Sequence, residues 1–277
     1  MKLSLYKIFA TISASVILSS CGADSIMGSA PKTVSNTVVP MPVPQNRQYV
    51  APTVRPPAPL NPTNNFSRDI SSSKQISWSR GSSNGRYIAL TFDDGPVAAN
   101  TTRVLDMLKR RNIKATFYVI GERVARNQSL TRRIVAEGHE LGNHTWTHGK
   151  LTSMSDTKVR WELNKTRDAI VAAAGVKPRT MRPPYGALST RQRSMIFREY
   201  GYPTILWDVD PEDWKKPGTS VIRNRILSGT KNGSIILLHD LHKTSVDAVP
   251  STIDALLRKG YKFVTVSQLI ALKNRGQ

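Results

Sequence analysis

From Arg86 onward the chain alternates two hydrophobic textures. Short apolar runs rich in β-branched and aromatic residues, at 87–92, 115–120, 139–144, 180–182, 204–208, 234–239 and 262–266, read as strands. Between them apolar positions recur at helical spacing over 101–111, 130–137, 156–174, 190–200, 221–227 and 249–259. Ser155 and Ser189 stand where helix N-caps are needed, and Gly121, Gly138, Gly175, Gly201 and Gly260 where turns or helix ends are needed. Seven strands alternating with helices predict an α/β domain over residues 85–272, its parallel sheet either open or rolled into a barrel. In both cases side chains at the C-terminal ends of strands face the site. Asp93, Asp94, His144, Arg182, Asp208, Asp210 and His239 all fall at or just past strand ends, so their chemistry is expected on one rim.

The first third of the chain has neither texture. Met1, Lys2 and Lys7 make a basic start, and residues 8–18 are an apolar run too short to cross a bilayer comfortably. Leu18-Ser19-Ser20-Cys21 then resembles a bacterial lipobox, which marks residues 1–20 as a signal peptide and Cys21 as a lipidated mature N-terminus. A general secretory signal with an incidental cysteine is the alternative. Cys21 is the only cysteine, so the exported domain has no disulfide and depends on packing or a metal. Residues 21–84 read as a flexible linker: nine of the 17 prolines lie between Pro31 and Pro62, among Ser, Thr and Asn, and such a stretch cannot bury enough apolar surface to order itself.

Charge narrows the partners. The formal net charge is +21, or +19 once Lys2 and Lys7 leave with the signal. That suits an anionic surface such as membrane headgroups, wall polymers or acidic glycans. Nucleic acid is not expected, because the cations are scattered through helices without interleaved aromatics and the signal places the protein outside the cytoplasm.

The rim residues suggest hydrolysis. Asp93 and Asp94 close an apolar strand, and Gly95-Pro96 supplies the turn that could bring both carboxylates to one side, one to bind a metal and one to act as base. A plain Asp-Asp-Gly turn is the alternative. His144 and His148, four residues apart, can reach one ion, leaving positions open for water as a catalytic site requires. His239 ends a second apolar strand, where a third metal ligand, a general acid or a packing role are all open; with two ligand histidines already present, general acid is the expected role. His139 is read as structural and His242 as solvated. Gly81-Ser82-Ser83-Asn84-Gly85 has the letters of a serine-hydrolase elbow but precedes a strand instead of following one, so it is set aside.

Five motifs, Thr91-Phe92-Asp93-Asp94-Gly95, His144-Thr145-Trp146-Thr147-His148, Arg182-Pro183-Pro184-Tyr185, Asp210-Pro211-Glu212-Asp213-Trp214 and Leu237-Leu238-His239, occur in this order. Together they resemble the NodB-homology domain of carbohydrate esterase family 4, the polysaccharide deacetylases, over about Arg86 to Leu269. The resemblance implies a distorted (β/α) barrel of fewer than eight units. It implies that Asp94, His144 and His148 bind one divalent metal, usually zinc, with cobalt or others possible. Asp93 would be the base that activates the attacking water, and Arg182 would orient Asp93. The backbone N–H of Tyr185 would help hold the oxyanion. His239 would be the acid, with Asp210 raising its pKa, and Trp214 and Leu237 would wall the acetyl-methyl pocket. Asp213 is a motif position without an assigned role. The expected activity is removal of N-acetyl groups from an envelope polysaccharide by a lipid-anchored monomer. Peptidoglycan is the leading substrate, ahead of poly-N-acetylglucosamine or chitin oligomers. An O-acetyl esterase and a non-catalytic glycan-binding lipoprotein are the alternatives.

Overall fold

The computed structural model describes residues 75–81 and 84–274. The signal peptide, Cys21, almost all of the expected linker and Ser82 and Ser83 of the elbow look-alike lie outside the described residues. Element order is β1 (Ser77–Trp78), β2 (Tyr87–Asp93), α1 (Ala98–Arg110), β3 (Thr116–Val119), α2 (Gly121–Arg126), α3 (Gln128–Ala136), β4 (Glu140–Asn143), α4 (Asp156–Ala174), α5 (Thr190–Tyr200), β5 (Thr204–Ile205), α6 (Thr219–Gly229), β6 (Ile235–His239), α7 (Lys243–Arg258), β7 (Lys262–Phe263) and α8 (Val266–Asn274). Among the described residues no helix is long and apolar enough to cross a membrane.

β2 is the centre of a parallel sheet ordered β4-β3-β2-β6, and β7 pairs with its first two residues. β1 pairs in parallel with β5. Single-residue bridges carry the ladder onward. Met181 links Asn143 of β4 to Thr204 of β5, while Val209 and Arg80 each bridge to the β6 side, at Ile236 and Ser234. The strands therefore curl round toward a distorted barrel. The period of two sorts β2 into faces. Ile88, Leu90 and Phe92 pack with Val104, Leu105 and Leu108 of α1 and Val249 and Ile253 of α7 in the main core. Ala89 turns the other way and packs with Trp78, Tyr118, Ile205 and Ile235. Thr91 and Asp93 share that inner face.

Several local expectations meet their physical cause. Ser155 caps α4 by accepting from Lys158 N–H, and Ser189 forms a reciprocal capping box with Gln192 at α5. Gly175 and Gly201 end these helices in the left-handed conformation, at φ 71° and 68°.

Other expectations are corrected. The linker does not run to residue 84: β1 lies at 77–78, and Trp78 is buried. The expected strand at 180–182 shrinks to the one bridge at Met181, because Pro178, Pro183 and Pro184 flank it and cannot donate to a ladder. Gly121 begins helix α2 instead of marking a turn, and Val266 begins α8 instead of ending a strand. α7 starts six residues ahead of the expected 249, carrying Pro250 inside it.

Candidate active site

The inner face of the barrel holds a buried cation. Arg182 is fully buried between β4 and β5, and its guanidinium lies over the Tyr118 ring at 4.2 Å. Nη1 donates to Thr91 Oγ1 at 2.8 Å and to Asp93 Oδ1 at 2.7 Å; Nη2 donates to Leu206 O at 3.1 Å and Nε to Ile205 O at 3.3 Å. Thr91 and Asp93 meet it together because residues two apart on a strand share a face. The pairing fixes one oxygen of Asp93. The other, Oδ2, is 3.8 Å from His144 Nε2, on the rim.

Asp94 reaches the same rim by a different device. Its own backbone is left-handed, at φ 75°, so the turn begins at Asp94 and not at Gly95 as its sequence suggests. Gly95 is required for space: a Cβ there would stand 2.6 Å from Asp240 Oδ2. Asp240 is itself buried and accepts from Thr101 Oγ1, which in turn accepts from Val97 N–H, so this chain of bonds braces the turn. Burial first, and the Asp94 charge after it, lift the Asp240 carboxyl to about 7 against the Thr101 hydrogen bond.

Asp94 Oδ1 lies 3.3 Å from His144 Nε2 and 3.2 Å from His148 Nε2. His144 Nδ1 donates to the Arg182 carbonyl at 2.7 Å, which leaves an Nε2 lone pair aimed at Asp94. Two imidazole nitrogens and a carboxylate oxygen thus converge, and Asp94 Oδ1 is buried without a hydrogen-bond partner. Ligands about 2.1 Å from a tetrahedral ion lie about 3.4 Å from one another, so this trio has the spacing and donor set of a zinc-like divalent site. The local field agrees. Burial opposes charge on Asp94, yet the two imidazoles hold its carboxyl below the usual range. Burial likewise opposes charge on His144, yet Asp93 and Asp94 raise its pKa, while burial and the neighbouring His144 lower that of His148.

His239 ends β6 directly opposite Asp93 in the strand register. Its Nδ1 pairs with Asp213 Oδ1 at 2.8 Å, and Asp213 Oδ2 accepts from the His239 backbone N–H, also at 2.8 Å. Burial works against the charged ring, but Asp213, with Asp93 and Asp94 behind it, more than offsets this and raises His239 to about 9. The expectation that Asp210 does this is corrected. Asp210 is exposed, and its Oδ1 accepts from Glu212 N–H at 2.7 Å in a local turn. Asp213 is the buried carboxylate.

The remaining positions sort by exposure. Tyr185 is left-handed at φ 60° and largely exposed, its ring 4.9 Å from that of His148. Leu237 is buried on β6, paired with Thr91, and Trp214 is half exposed in the short turn that carries Asp213. Asp208 is not on the rim: it accepts from Ser234 Oγ and Ile235 N–H and pairs with Arg80 at 3.1 Å, helping to close the barrel. His139 is buried; its Nδ1 accepts from Ala115 N–H, and burial lowers it to about 3.

A parallel α/β barrel whose rim carries a carboxylate–diimidazole cation site, a second carboxylate and a carboxylate-paired histidine has the arrangement of a metal-assisted hydrolase. The chain belongs to the polysaccharide deacetylase family, whose model matches residues 80–205. It is 43% identical over 188 residues to the peptidoglycan-N-acetylglucosamine deacetylase PgdA of Listeria monocytogenes, covering 68% of this chain and 40% of that protein. It is 42% identical over 192 residues to the peptidoglycan-N-acetylmuramic acid deacetylase PdaC of Bacillus subtilis, covering 69% of this chain and again 40% of the relative. A solved structure of PdaC superposes with a TM-score of 0.66 at 41% identity, covering 70% of this chain and 95% of that one. A peptidoglycan-N-acetylglucosamine deacetylase of Bacillus cereus is 38% identical over 199 residues, covering 69% of this chain and 91% of the relative. The chain therefore spans well under half of the first two relatives and most of the third.

Proposed function

We propose that this chain hydrolyses N-acetyl groups on the aminosugars of its own cell's peptidoglycan, as a lipoprotein anchored through Cys21 on the outer side of a membrane. The observation that carries the reading is the convergence of three functions on one rim: Asp93 as base, the Asp94–His144–His148 trio as cation site, and His239 as acid. A divalent ion held by the trio, zinc first and cobalt next, would polarise the acetyl carbonyl and lower the pKa of the attacking water.

The residues divide the remaining work. Arg182 holds Asp93 Oδ1, leaving Oδ2 to take the proton as water adds to the carbonyl. The Tyr185 N–H is assigned to the oxyanion; one such donor is typically worth about 3 kcal/mol. His239, charged at neutral pH, gives its Nε2 proton to the departing nitrogen, which could not leave as an anion. The carbonyl–nitrogen bond breaks, acetate departs and an amine remains on the polymer. Leu237 and Trp214 are assigned to the methyl pocket. The protein is taken as a monomer without a nucleic-acid partner.

The relatives named for peptidoglycan deacetylation support the substrate, and the basic chain suits an anionic wall. Because those relatives differ in the sugar they are named for, the test needs product analysis as well as acetate release. Zinc-loaded protein is incubated with peptidoglycan, chitin oligomers and acetyl-xylan, and digested muropeptides are weighed by mass spectrometry. Each event replaces an acetyl group by hydrogen, and the corresponding mass loss is expected on peptidoglycan first. Faster release from acetyl-xylan would favour the esterase reading instead.

A further inference from the structure

We propose that Glu162, which lies outside the five motifs, is a positioning residue of the cation site, setting the loop that carries both imidazoles. The inference rests on the reading of Asp94, His144 and His148 as a divalent-metal site.

The loop from His144 to His148 is not held by regular structure. Thr145 and His148 are both left-handed, at φ 67° and 60°. That region is costly for a β-branched residue, so neighbouring groups must over-determine the conformation. Glu162 supplies the largest set of those constraints. It lies on α4, completely buried, directly behind the loop. Its Oε2 accepts from the backbone N–H groups of Trp146 and Thr147, both at 2.8 Å. Its Oε1 accepts from Thr147 Oγ1 at 2.9 Å and pairs with Lys158 Nζ at 3.2 Å. Two successive backbone N–H groups aimed at one oxygen form a small anion-binding nest, here filled from inside the protein. Asn143 fixes the loop's start, accepting from Thr145 N–H at 2.9 Å and donating to Leu163 O, the neighbour of Glu162, at 2.9 Å. Trp146 adds a wall: a Cβ at Gly121 would stand 2.4 Å from its ring.

The consequence concerns geometry, since Glu162 touches neither imidazole. With residues 146 and 147 pinned to α4, His148 enters at the angle that places its Nε2 beside Asp94 Oδ1. Without the carboxylate, Trp146 and Thr147 N–H lose their acceptor, and His148 loses its fixed approach while His144 keeps its own bond to the Arg182 carbonyl. The site would then fall toward two ligands.

The test measures metal binding directly, by zinc competition against a chromogenic chelator and by the visible spectrum of the cobalt-substituted protein. Glu162→Ala is expected to weaken zinc binding about 10- to 100-fold, the range for outer-sphere partners of metal ligands, and to change the cobalt spectrum. Glu162→Gln keeps one acceptor oxygen but turns an amide nitrogen toward Thr147 Oγ1 and Lys158, so it is expected to lose less than the alanine variant yet more than about twofold, which also covers poor folding of the alanine variant. Asp254→Asn, which breaks a remote pair with Arg111, serves as a stability control and is expected to leave zinc affinity and the cobalt spectrum unchanged. Zinc affinity within twofold of the parent and an unchanged cobalt spectrum in Glu162→Gln, with a lowered melting temperature, would make Glu162 merely structural and overturn the inference. A parent protein that binds no ion would overturn the metal reading, and this one with it.

Discussion

The two sides of the rim are built by different means. On the cation side Asp94 and His148 are left-handed, Thr145 between the imidazoles is too, and buried Asn143 of β4 and Glu162 of α4 hold the imidazole loop. On the acid side His239 sits at the regular end of β6, in register with Asp93, and one carboxylate from a short turn holds its ring. A left-handed non-glycine residue costs about 1–3 kcal/mol each, so the cation side stores strain that its surroundings must offset. On the acid side His239 itself keeps regular strand backbone, the left-handed residues being Glu212 and Lys216 at the two ends of the turn that carries Asp213, and its ring is set by a single charge pair. Damage to the first should appear as lost metal and stability, and damage to the second as a displaced pKa.

The sharpest way to break the comparison is to strip the ion. A chelator should abolish turnover and lower the melting temperature, whereas zinc at about a thousandfold over its Kd should add about 4 kcal/mol of stability. Melts unchanged by zinc and chelator would remove the link between strain and metal on the cation side. Asp93→Asn comes next: its side chain can still accept from Arg182, but the base is gone, and kcat should fall about a thousandfold with ion content unchanged. An empty site in that variant would show that Asp93 belongs with the ligands. On the acid side, His239→Ala should cost about a hundredfold on an N-acetyl substrate and less on an acetate ester, since an alkoxide leaves more readily than an amide anion. Equal losses on both would count against His239 as proton donor.

How much of this was legible depended on whether a residue's role is local. The Asp93-Asp94 pair at a strand end and the His144/His148 spacing carry their chemistry in a few adjacent letters, and the helix caps at Ser155 and Ser189 do the same for the fold. β1 was missed because two residues after a polar run have no periodicity; only the burial of Trp78 against Ala89 and Ile205 marks it. Glu162 is an unremarkable acidic position in a helix until the path of α4 behind the imidazole loop is known. Asp210 and Asp213 stand three residues apart on one motif, and the resemblance alone pointed to the wrong one for the ring of His239. A usable signal was present: an aspartate before proline tends to spend its side chain on its own turn, as Asp210 does with Glu212 N–H.

That correction supplies the smallest and most discriminating effect. His239 is raised in the fold from its ordinary 6.5 to about 9, so the acid is present at neutral pH and is lost as pH rises through about 9. Activity should therefore fall on the alkaline side there. Asp213→Asn removes the carboxylate on Nδ1, and the limb should move down toward the ordinary histidine range, since burial then acts unopposed by its closest partner. At pH 7 a pKa of about 6.5 leaves about a quarter of the rings charged, so turnover should drop about fourfold, and more at higher pH. Asp210→Asn should leave the limb in place, because its carboxylate is exposed and committed to the turn. The measurement is kcat/KM against pH for the two variants side by side on an N-acetyl substrate. A limb that moves with Asp210 and stays with Asp213 would return the partnership to the residue the motif first suggested, and would mean that the ring of His239 turns over when substrate binds.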